Sequence, residues 1–294
     1  MQNRAWSGKS EGATWMHKSL LKMFRLMPPP FVYPIVYCWI IVSIAAHKAG
    51  RRGIYYYWKE RQSLNTFSSV KNLYLSYLEF GKSVLDRFAV WAGRHIDIKI
   101  VNPEILDNLT CKPGGFIILN SHIGNQELAG YTIKMTKEAY VLTFTGDDKT
   151  VNDNRNSKFE EMGLHIIPVK DDGSHIFDMH NAVSGGNILS IHGDRMFYGG
   201  RTLKAEIMGE EASFPEGPFR VAVAEQVPVI TLFMMRERYD KYTLYVFQLS
   251  DGTYKEADHN KQAKELLNAY ISKIEWILER YPRQWFHFYE FWKQ

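Results

Sequence analysis

The chain has 294 residues, of which 45% are hydrophobic and 23% charged, so it can bury one large core or two small ones, and it is not a disordered chain. The net charge of +4 is unevenly placed, because residues 1–62 hold ten Lys and Arg against two acidic residues while the rest of the chain is net acidic. This asymmetry argues against a nucleic-acid-binding protein, and the two distant cysteines, Cys38 and Cys111, exclude a disulfide framework and a cysteine metal site.

The N-terminal segment, residues 1–62, predicts association with a membrane. Residues 26–46 carry no charged side chain, and their apolar part, residues 31–46, would form a helix of about 24 Å, shorter than the ~30 Å hydrocarbon core of a bilayer. Basic residues flank it on both sides, an amphipathic stretch precedes it, and the aromatic run 55–58 follows. A short or tilted span and a re-entrant anchor both fit this pattern. The alternative is a buried core helix of a soluble protein.

Residues 63–294 predict one domain, with its core from about residue 105. Apolar residues at steps of three and four predict long helices over 63–91 and 261–281. Between them, strands are predicted at 97–101, 116–120, 139–145, 164–169, 187–192, 227–235 and 242–249, and shorter helices at 127–137, 157–162, 175–183 and 219–225. Continuous apolar strands between helices indicate an α/β fold with a mixed, largely parallel sheet flanked by helices.

The stretch NSHIGNQEL, residues 120–128, is the strongest candidate for a catalytic site. Asn120 ends a buried strand, a polar turn carries His122, Gly124 and Asn125, and a helix follows. Sites in open α/β sheets lie at the carboxyl ends of strands, and histidine is the usual general base near neutral pH. Glu127, five residues on, could fold back onto the imidazole and fix its tautomer. The free N–H groups at the helix start could face an oxyanion.

Two further turns are candidates for binding a substrate. In SIHGDRMFYGGR, residues 190–201, an apolar strand again runs into a polar turn, so that Asp194 and Arg195 should lie at the same sheet edge as His122. Arg195 could hold a phosphate or the pantetheine arm of an acyl donor, and a solvated charged turn is the alternative. In FPEGPFRVA, residues 214–222, Gly217 lies in a tight turn before a helix.

Together these stretches resemble the lipid A secondary acyltransferase family of the lysophospholipid acyltransferase superfamily. The resemblance covers nearly the whole chain, including the VPVI strand and the aromatic end PRQWFHFY. It implies that His122 and Glu127 form a catalytic dyad, and that Asn120, Gly124, Asn125, Asp194, Arg195 and Gly217 bind substrate. Arg155 and Arg201 are weaker phosphate-binding candidates. FPEG, residues 214–217, resembles the acceptor-binding block of the glycerol-phosphate branch, where that block directly follows a strand. In this chain the Gly-Asp-Arg turn, residues 193–195, directly follows the corresponding strand, and FPEG comes about twenty residues later.

The resemblance implies a bacterial inner-membrane enzyme, its catalytic domain facing the cytoplasm, that transfers a fatty acyl group to a hydroxyl of a lipid A-like glycolipid. The donor would be a thioester of acyl carrier protein or coenzyme A, with no other cofactor and no metal. His122 would take the proton of the acceptor hydroxyl in a direct transfer. Because no G-x-S-x-G elbow accompanies Ser121, no acyl-enzyme is expected.

Three alternatives stay open at this point. A metal-dependent hydrolase could use His122, Glu127, His192 and Asp194 as ligands, although the chain lacks H-E-x-x-H. A non-catalytic membrane-binding protein would make the histidine and its carboxylate incidental. A lysophospholipid or amino-acid-lipid acyltransferase would keep the chemistry and change the acceptor.

Overall fold

The structure is a computed structural model that describes residues 14–132, 136–143, 159, 163–170, 172–195, 200–254 and 258–293. Within these ranges the α-helices are α1 Thr14–Leu26, α2 Pro29–Ala46, α3 Lys48–Tyr56, α4 Thr66–Trp91, α5 Pro103–Cys111, α6 Gln126–Thr132, α7 His175–Ser184, α8 Glu216–Glu225 and α9 His259–Arg280. A π-helical turn, Tyr57–Arg61, continues α3, and short 3-10 turns lie at Pro282–Gln284 and Phe291–Lys293.

The strands are β1 Asp97–Val101, β2 Phe116–Asn120, β3 Ala139–Thr143, β4 Leu164–Pro168, β5 Ile188–His192, β6 Thr202–Ile207, β7 Glu210–Pro215, β8 Val229–Arg238 and β9 Lys241–Ser250. Seven of them form one sheet in the order β1-β9-β8-β2-β5-β3-β4. The neighbours from β8 to β4 run parallel, whereas β9 runs antiparallel to β8 and parallel to β1. The predicted mixed, largely parallel sheet with flanking helices is confirmed.

The alternation of side chains along β2 explains why both faces of the sheet are covered. Ile117 and Leu119 pack into one apolar core together with α7, α8 and α9, and Phe116 and Ile118 pack into a second core with α5 and α6. A strand buried on both faces reads as a continuous apolar run, because neither set of alternating side chains meets water. β2 therefore lies in the middle of the molecule, and its last residue, Asn120, lies two residues before His122.

A two-stranded antiparallel ribbon, β6–β7, was not predicted from the sequence. Its turn, Met208-Gly209, has positive φ at both residues, the conformation of a type I′ hairpin. Tyr56 fixes the ribbon to α3 by donating a hydrogen bond to Glu210 over 2.7 Å. Residue 159 is helical, and the rest of the predicted helix 157–162 lies outside the described residues.

The N-terminal helices pack on the domain more closely than the sequence predicts. The side chain of Phe24 in α1 is fully buried, and Tyr57 and Trp58 of the aromatic run are 1% and 4% exposed. Exposed apolar side chains nevertheless remain on α1, α2 and α4: Leu26, Phe31, Ile41, Val42, Phe67 and Val70. In the part of the chain that the structure describes, no helix combines the length and the apolar character needed to cross a bilayer.

A buried polar cluster attaches α2 to the domain. Asp86 of α4, which is fully buried, forms an ion pair with Arg236 of β8 over 2.7 Å between Oδ2 and Nε. The hydroxyl of Tyr33 in α2 donates to Asp86 over 2.5 Å and accepts from Arg236 over 3.0 Å. The hydroxyl of Tyr242 donates to the same carboxylate over 2.6 Å. A buried charge needs this number of partners, so the cluster fixes α2, α4, β8 and β9 to one another.

Candidate active site

The register of two parallel strands brings His122 and Asp194 together. Asn120, the last residue of β2, lies opposite His192, the last residue of β5. His122 and Asp194 each follow two residues after that pair, and the carboxyl ends of parallel strands meet at one sheet edge. His122 Nδ1 lies 2.8 Å from Asp194 Oδ1, and the backbone N–H of His122 donates to Oδ2 over 2.7 Å.

The electrostatics of this pair leave a neutral imidazole beside an ionised carboxylate. Burial and the nearby Arg195 guanidinium lower the pKa of His122, and Asp194 offsets only part of that shift. Burial alone would raise the pKa of Asp194, but the His122 imidazole and the hydrogen bonds from it hold that pKa well below its usual range. With Nδ1–H donated to Asp194, the lone pair of Nε2 is available to accept a proton.

Glu127 does not occupy the position beside the imidazole that its spacing suggested. It forms an ion pair with Arg87 of α4, and the hydrogen bond at His122 Nδ1 goes to Asp194. Asp194 approaches along a neighbouring strand, whereas Glu127 lies in the first turn of α6, where the side chain can reach α4. The Glu127 charge still acts on the imidazole, since it contributes to raising the pKa of His122.

The turn that carries His122 is held by the C-terminal tail, residues 284–293. Gly124 N–H donates to the carbonyl of Gln284 over 2.8 Å, and Phe286 N–H donates to the carbonyl of His122 over 2.8 Å, so that Ile123 and Trp285 form an antiparallel bridge. This pairing could not be predicted, because the tail lies some 160 residues away along the chain and its sequence shows only an aromatic run.

Gly124 allows the turn to lie directly on β8. Its φ is +70°, and a Cβ there would collide with the backbone carbonyl of Met234. The N–H of Asn125 donates to that same carbonyl over 2.8 Å. Only glycine combines this φ with so close an approach.

We expect Gly124→Ala to displace the catalytic turn, lowering both the melting temperature and the rate of acyl transfer. The matched control is Gly114→Ala, because Gly114 has a φ of +91° but no atom within 4 Å of its added Cβ. Both variants carry the cost of an alanine at positive φ, about 1–2 kcal/mol, and only Gly124→Ala adds the collision. Equal melting temperatures and activities for the two variants would contradict this role.

The carbonyl of Asn120 joins the strands that carry His122 and Asp194. It accepts the N–H of Gly193 over 2.9 Å and the hydroxyl of Tyr270 in α9 over 2.6 Å. The Asn120 side chain, predicted to bind substrate, donates to Ser190 Oγ over 2.7 Å and so also ties β2 to β5. Sequence reasoning missed Tyr270, which it counted only within the apolar face of a C-terminal helix.

The other predicted binding residues differ in their exposure and in the groups that they contact. The Asn125 carboxamide is buried and donates to the carbonyl of Ser83 over 2.9 Å, so it faces α4. Arg195 follows Asp194 directly, with its guanidinium 5.4 Å from the ring centre of Tyr289 in the tail. Gly217 lies exposed in the first turn of α8 and Arg201 is exposed before β6, whereas Arg155 lies outside the described residues.

A second imidazole lies beside the first, with its ring plane tilted by 36°. The ring centres of His192 and His122 are 4.6 Å apart, and burial lowers the pKa of His192 to about 3, with the neighbouring His122 adding to the shift. His192 is therefore neutral and adds an aromatic wall to the site. Among the described residues, no group of three or more His, Cys, Asp or Glu side chains is arranged to hold a metal ion.

Residues 82–294 match the family model described as bacterial lipid A biosynthesis acyltransferase. The chain belongs to this family. The match begins within α4, after α1, α2 and α3, and covers the sheet, the His122 turn and the C-terminal tail. No curated protein was found to match the chain.

Membership of the lipid A acyltransferase family makes the protein an acyltransferase, with a lipid acceptor and an acyl donor. The resemblance noted in the sequence is confirmed at the level of the family. The catalytic roles of the individual residues stay predictions, and the geometry around His122 supplies their physical basis.

Proposed function

We propose that this acyltransferase moves a fatty acyl group from a thioester of acyl carrier protein or coenzyme A to a hydroxyl of a lipid A-like glycolipid. The observation that carries the proposal is the neutral His122 imidazole, held by Asp194 at Nδ1. The proposal requires no other cofactor and no metal. Its acceptor class rests on the family to which the chain belongs.

In the proposed reaction, His122 Nε2 takes the proton of the acceptor hydroxyl as that oxygen attacks the thioester carbonyl carbon. The tetrahedral intermediate then breaks its C–S bond, and the imidazolium returns the proton to the departing sulfur. Asp194 keeps Nδ1 protonated and stabilises the imidazolium while it exists. General-base assistance of this kind contributes ~10²–10⁴-fold to a rate.

The oxyanion would be held by the first turn of α6. The N–H groups of Gly124 and Asn125 are already donated to backbone carbonyls, which removes two of the donors that the sequence suggested. The N–H groups of Gln126 and Glu127 have no partner among the described residues and lie at the start of a helix, where the dipole favours a negative charge. Ser121 is fully buried, in keeping with direct transfer without an acyl-enzyme.

The proposed location is the bacterial inner membrane, with the catalytic domain facing the cytoplasm. The exposed apolar side chains Leu26, Phe31, Ile41, Val42, Phe67 and Val70 support contact of α1, α2 and α4 with lipid, because removing apolar side chains from water is favourable. Exposed Lys22 and Arg25 on α1 would meet anionic headgroups. The segment would then lie on or in the bilayer surface.

The experiment that tests the acceptor class is lipid mass spectrometry of cells with and without the gene. We expect the deletion to remove one fatty acyl group from the lipid A fraction and to leave the phospholipids unchanged. A lysophospholipid or amino-acid-lipid that accumulates instead would replace the glycolipid acceptor and leave the chemistry at His122 in place. Re-expression of His122→Ala should fail to restore the missing group, while wild-type protein restores it.

A further inference from the structure

A pocket on the outer side of α3 is not used by the chemistry described above. It is a half-open depression with a volume of about 430 Å³. One helical face contributes Arg52, Tyr55, Tyr56, Lys59 and Glu60, which recur at steps of three and four, and the C-terminal tail contributes Glu290 and Lys293. We call it the α3 pocket.

The α3 pocket contains unpaired positive charge. Neither Arg52 nor Lys59 forms an ion pair or a side-chain hydrogen bond with a described residue, whereas Lys293 bonds to Glu290 over 3.0 Å. Unpaired cations on the wall of a concavity attract an anion, and a phosphate offers several acceptor oxygens to both of them. The charge pattern therefore favours a phosphate-bearing ligand.

The remaining lining groups suit a sugar. The carboxylates of Glu60 and Glu290 can accept hydrogen bonds from hydroxyl groups, and the ring of Tyr55 offers a flat apolar surface. The ring of Tyr56 already packs against Arg61, Lys293 and Trp292. A purely anionic ligand would gain nothing from the two carboxylates, whereas the hydroxyl groups of a phosphorylated sugar can donate to them.

The position of the α3 pocket connects it to the catalytic site. Gly53 packs so closely on the tail that a Cβ there would collide with the carbonyl of Tyr289. The hydroxyl of Tyr289 in turn donates to the backbone carbonyl of Asp194 over 2.7 Å. The tail therefore contributes two residues to the pocket and also contacts the backbone of Asp194. Helix α2, with Ile41 and Val42 exposed, leads directly into α3.

We propose that the α3 pocket binds the phosphorylated sugar headgroup of the acceptor glycolipid, with Arg52 and Lys59 on the phosphate. This inference rests on the proposed function for its acceptor class. In this arrangement the acyl chains of the acceptor follow the apolar side chains of α2, and the tail positions the headgroup relative to the catalytic turn.

The test compares a phosphorylated lipid A-type glycolipid with the same glycolipid after phosphatase treatment. Binding of phosphatidylcholine vesicles that carry either glycolipid is measured in the full chain with His122→Ala, which prevents turnover. The kinetics of acylation are then measured in the enzyme that keeps His122. The variant is Arg52→Ala/Lys59→Ala. The matched control is Lys261→Ala/Lys264→Ala, which removes the same charge from exposed positions at the start of α9.

We expect wild-type protein to prefer the phosphorylated glycolipid by at least about tenfold, and the control to keep that preference. Arg52→Ala/Lys59→Ala should lose it, with a matching rise in acceptor KM and with kcat and donor KM unchanged. Three results would overturn the proposal: a preference retained by the variant, an equal loss of binding to phosphatidylglycerol vesicles, or a raised KM for the acyl carrier protein donor. Preferential binding by wild-type protein without acylation of the glycolipid would refute the proposed function and leave the pocket assignment standing.

Discussion

Asp194→Asn is expected to lower kcat by ~10²–10⁴-fold, the range that general acid–base catalysis contributes to a rate, because a catalytic histidine depends on the carboxylate behind it. The carboxamide is similar in size to the carboxylate, so the turn should keep its fold. It cannot offer two acceptor oxygens to His122 Nδ1–H and His122 N–H together. The imidazole then loses its fixed tautomer and the negative charge that supports its protonated form.

The same change should also shift the pH dependence. Asp194 raises the pKa of His122 against the effect of burial, so its loss lowers that pKa further and makes the imidazole a weaker base. The acid limb of the pH–rate profile should move to lower pH while the plateau falls. A near-normal kcat with an unchanged acid limb, in protein whose circular dichroism spectrum is intact, would contradict the role of Asp194.

Glu127→Gln provides the comparison, because the resemblance assigns the dyad carboxylate to Glu127. We expect turnover to fall strongly with little change in membrane binding, since the Glu127 charge supports a protonated His122 and the residue lies beside the proposed oxyanion site. The Nδ1 hydrogen bond to Asp194 should survive, so the fall should be smaller than for Asp194→Asn. Near-normal activity would remove Glu127 from the catalytic account.

Arg236→Met is expected to destabilise the protein by ~3–5 kcal/mol, because removal of one partner of a buried ion pair leaves the other charge uncompensated. The Arg236 side chain is 8% exposed and that of Asp86 is fully buried. Arg236 also exchanges two hydrogen bonds with the side chain of Gln284, but it does so through its backbone, so Arg236→Met leaves them in place. The loss of the ion pair should therefore be seen in chemical denaturation.

Two further variants make this expectation specific. In Arg236→Met/Asp86→Leu no buried charge remains, and most of the lost stability should return. Lys204→Ala breaks an exposed pair with Glu211, where both side chains are more than 60% exposed, and should change the stability little, because water and salt screen such a pair. If Arg236→Met were no more destabilising than Lys204→Ala, the cluster would not anchor α2 and α4 to the sheet.

The strands and their largely parallel order could be predicted from the sequence, because a fully buried strand such as β2 must read as a continuous apolar run. The β6–β7 ribbon was missed. β6 alternates polar and apolar side chains, as a half-buried strand does, but Met-Gly is not among the dipeptides that usually mark a type I′ turn. The burial of Phe24 was missed for a related reason, since helical periodicity identifies an apolar face and does not say whether lipid or protein covers it.

The sequence placed His122 and Asp194 at one sheet edge but paired the imidazole with Glu127. Spacing along the chain favours the nearer carboxylate, whereas the contact at Nδ1 is set by the register of β2 against β5, which a single sequence does not contain. Tyr270 and the C-terminal tail reach the site from more than 140 residues away. Only the folded structure brings these groups to the His122 turn.

The most direct test of the general-base role of His122 is the single-turnover rate of acyl transfer as a function of pH, at saturating donor and acceptor, in wild type and His122→Gln. In wild type the rate should rise with pH through an apparent pKa below 6.5, because burial lowers the pKa of the imidazole and only its neutral form accepts the proton. In the folded variant the rate should fall by ~10²–10⁴-fold and lose that pH dependence. A variant within tenfold of wild type, with the same acid limb, would contradict the account.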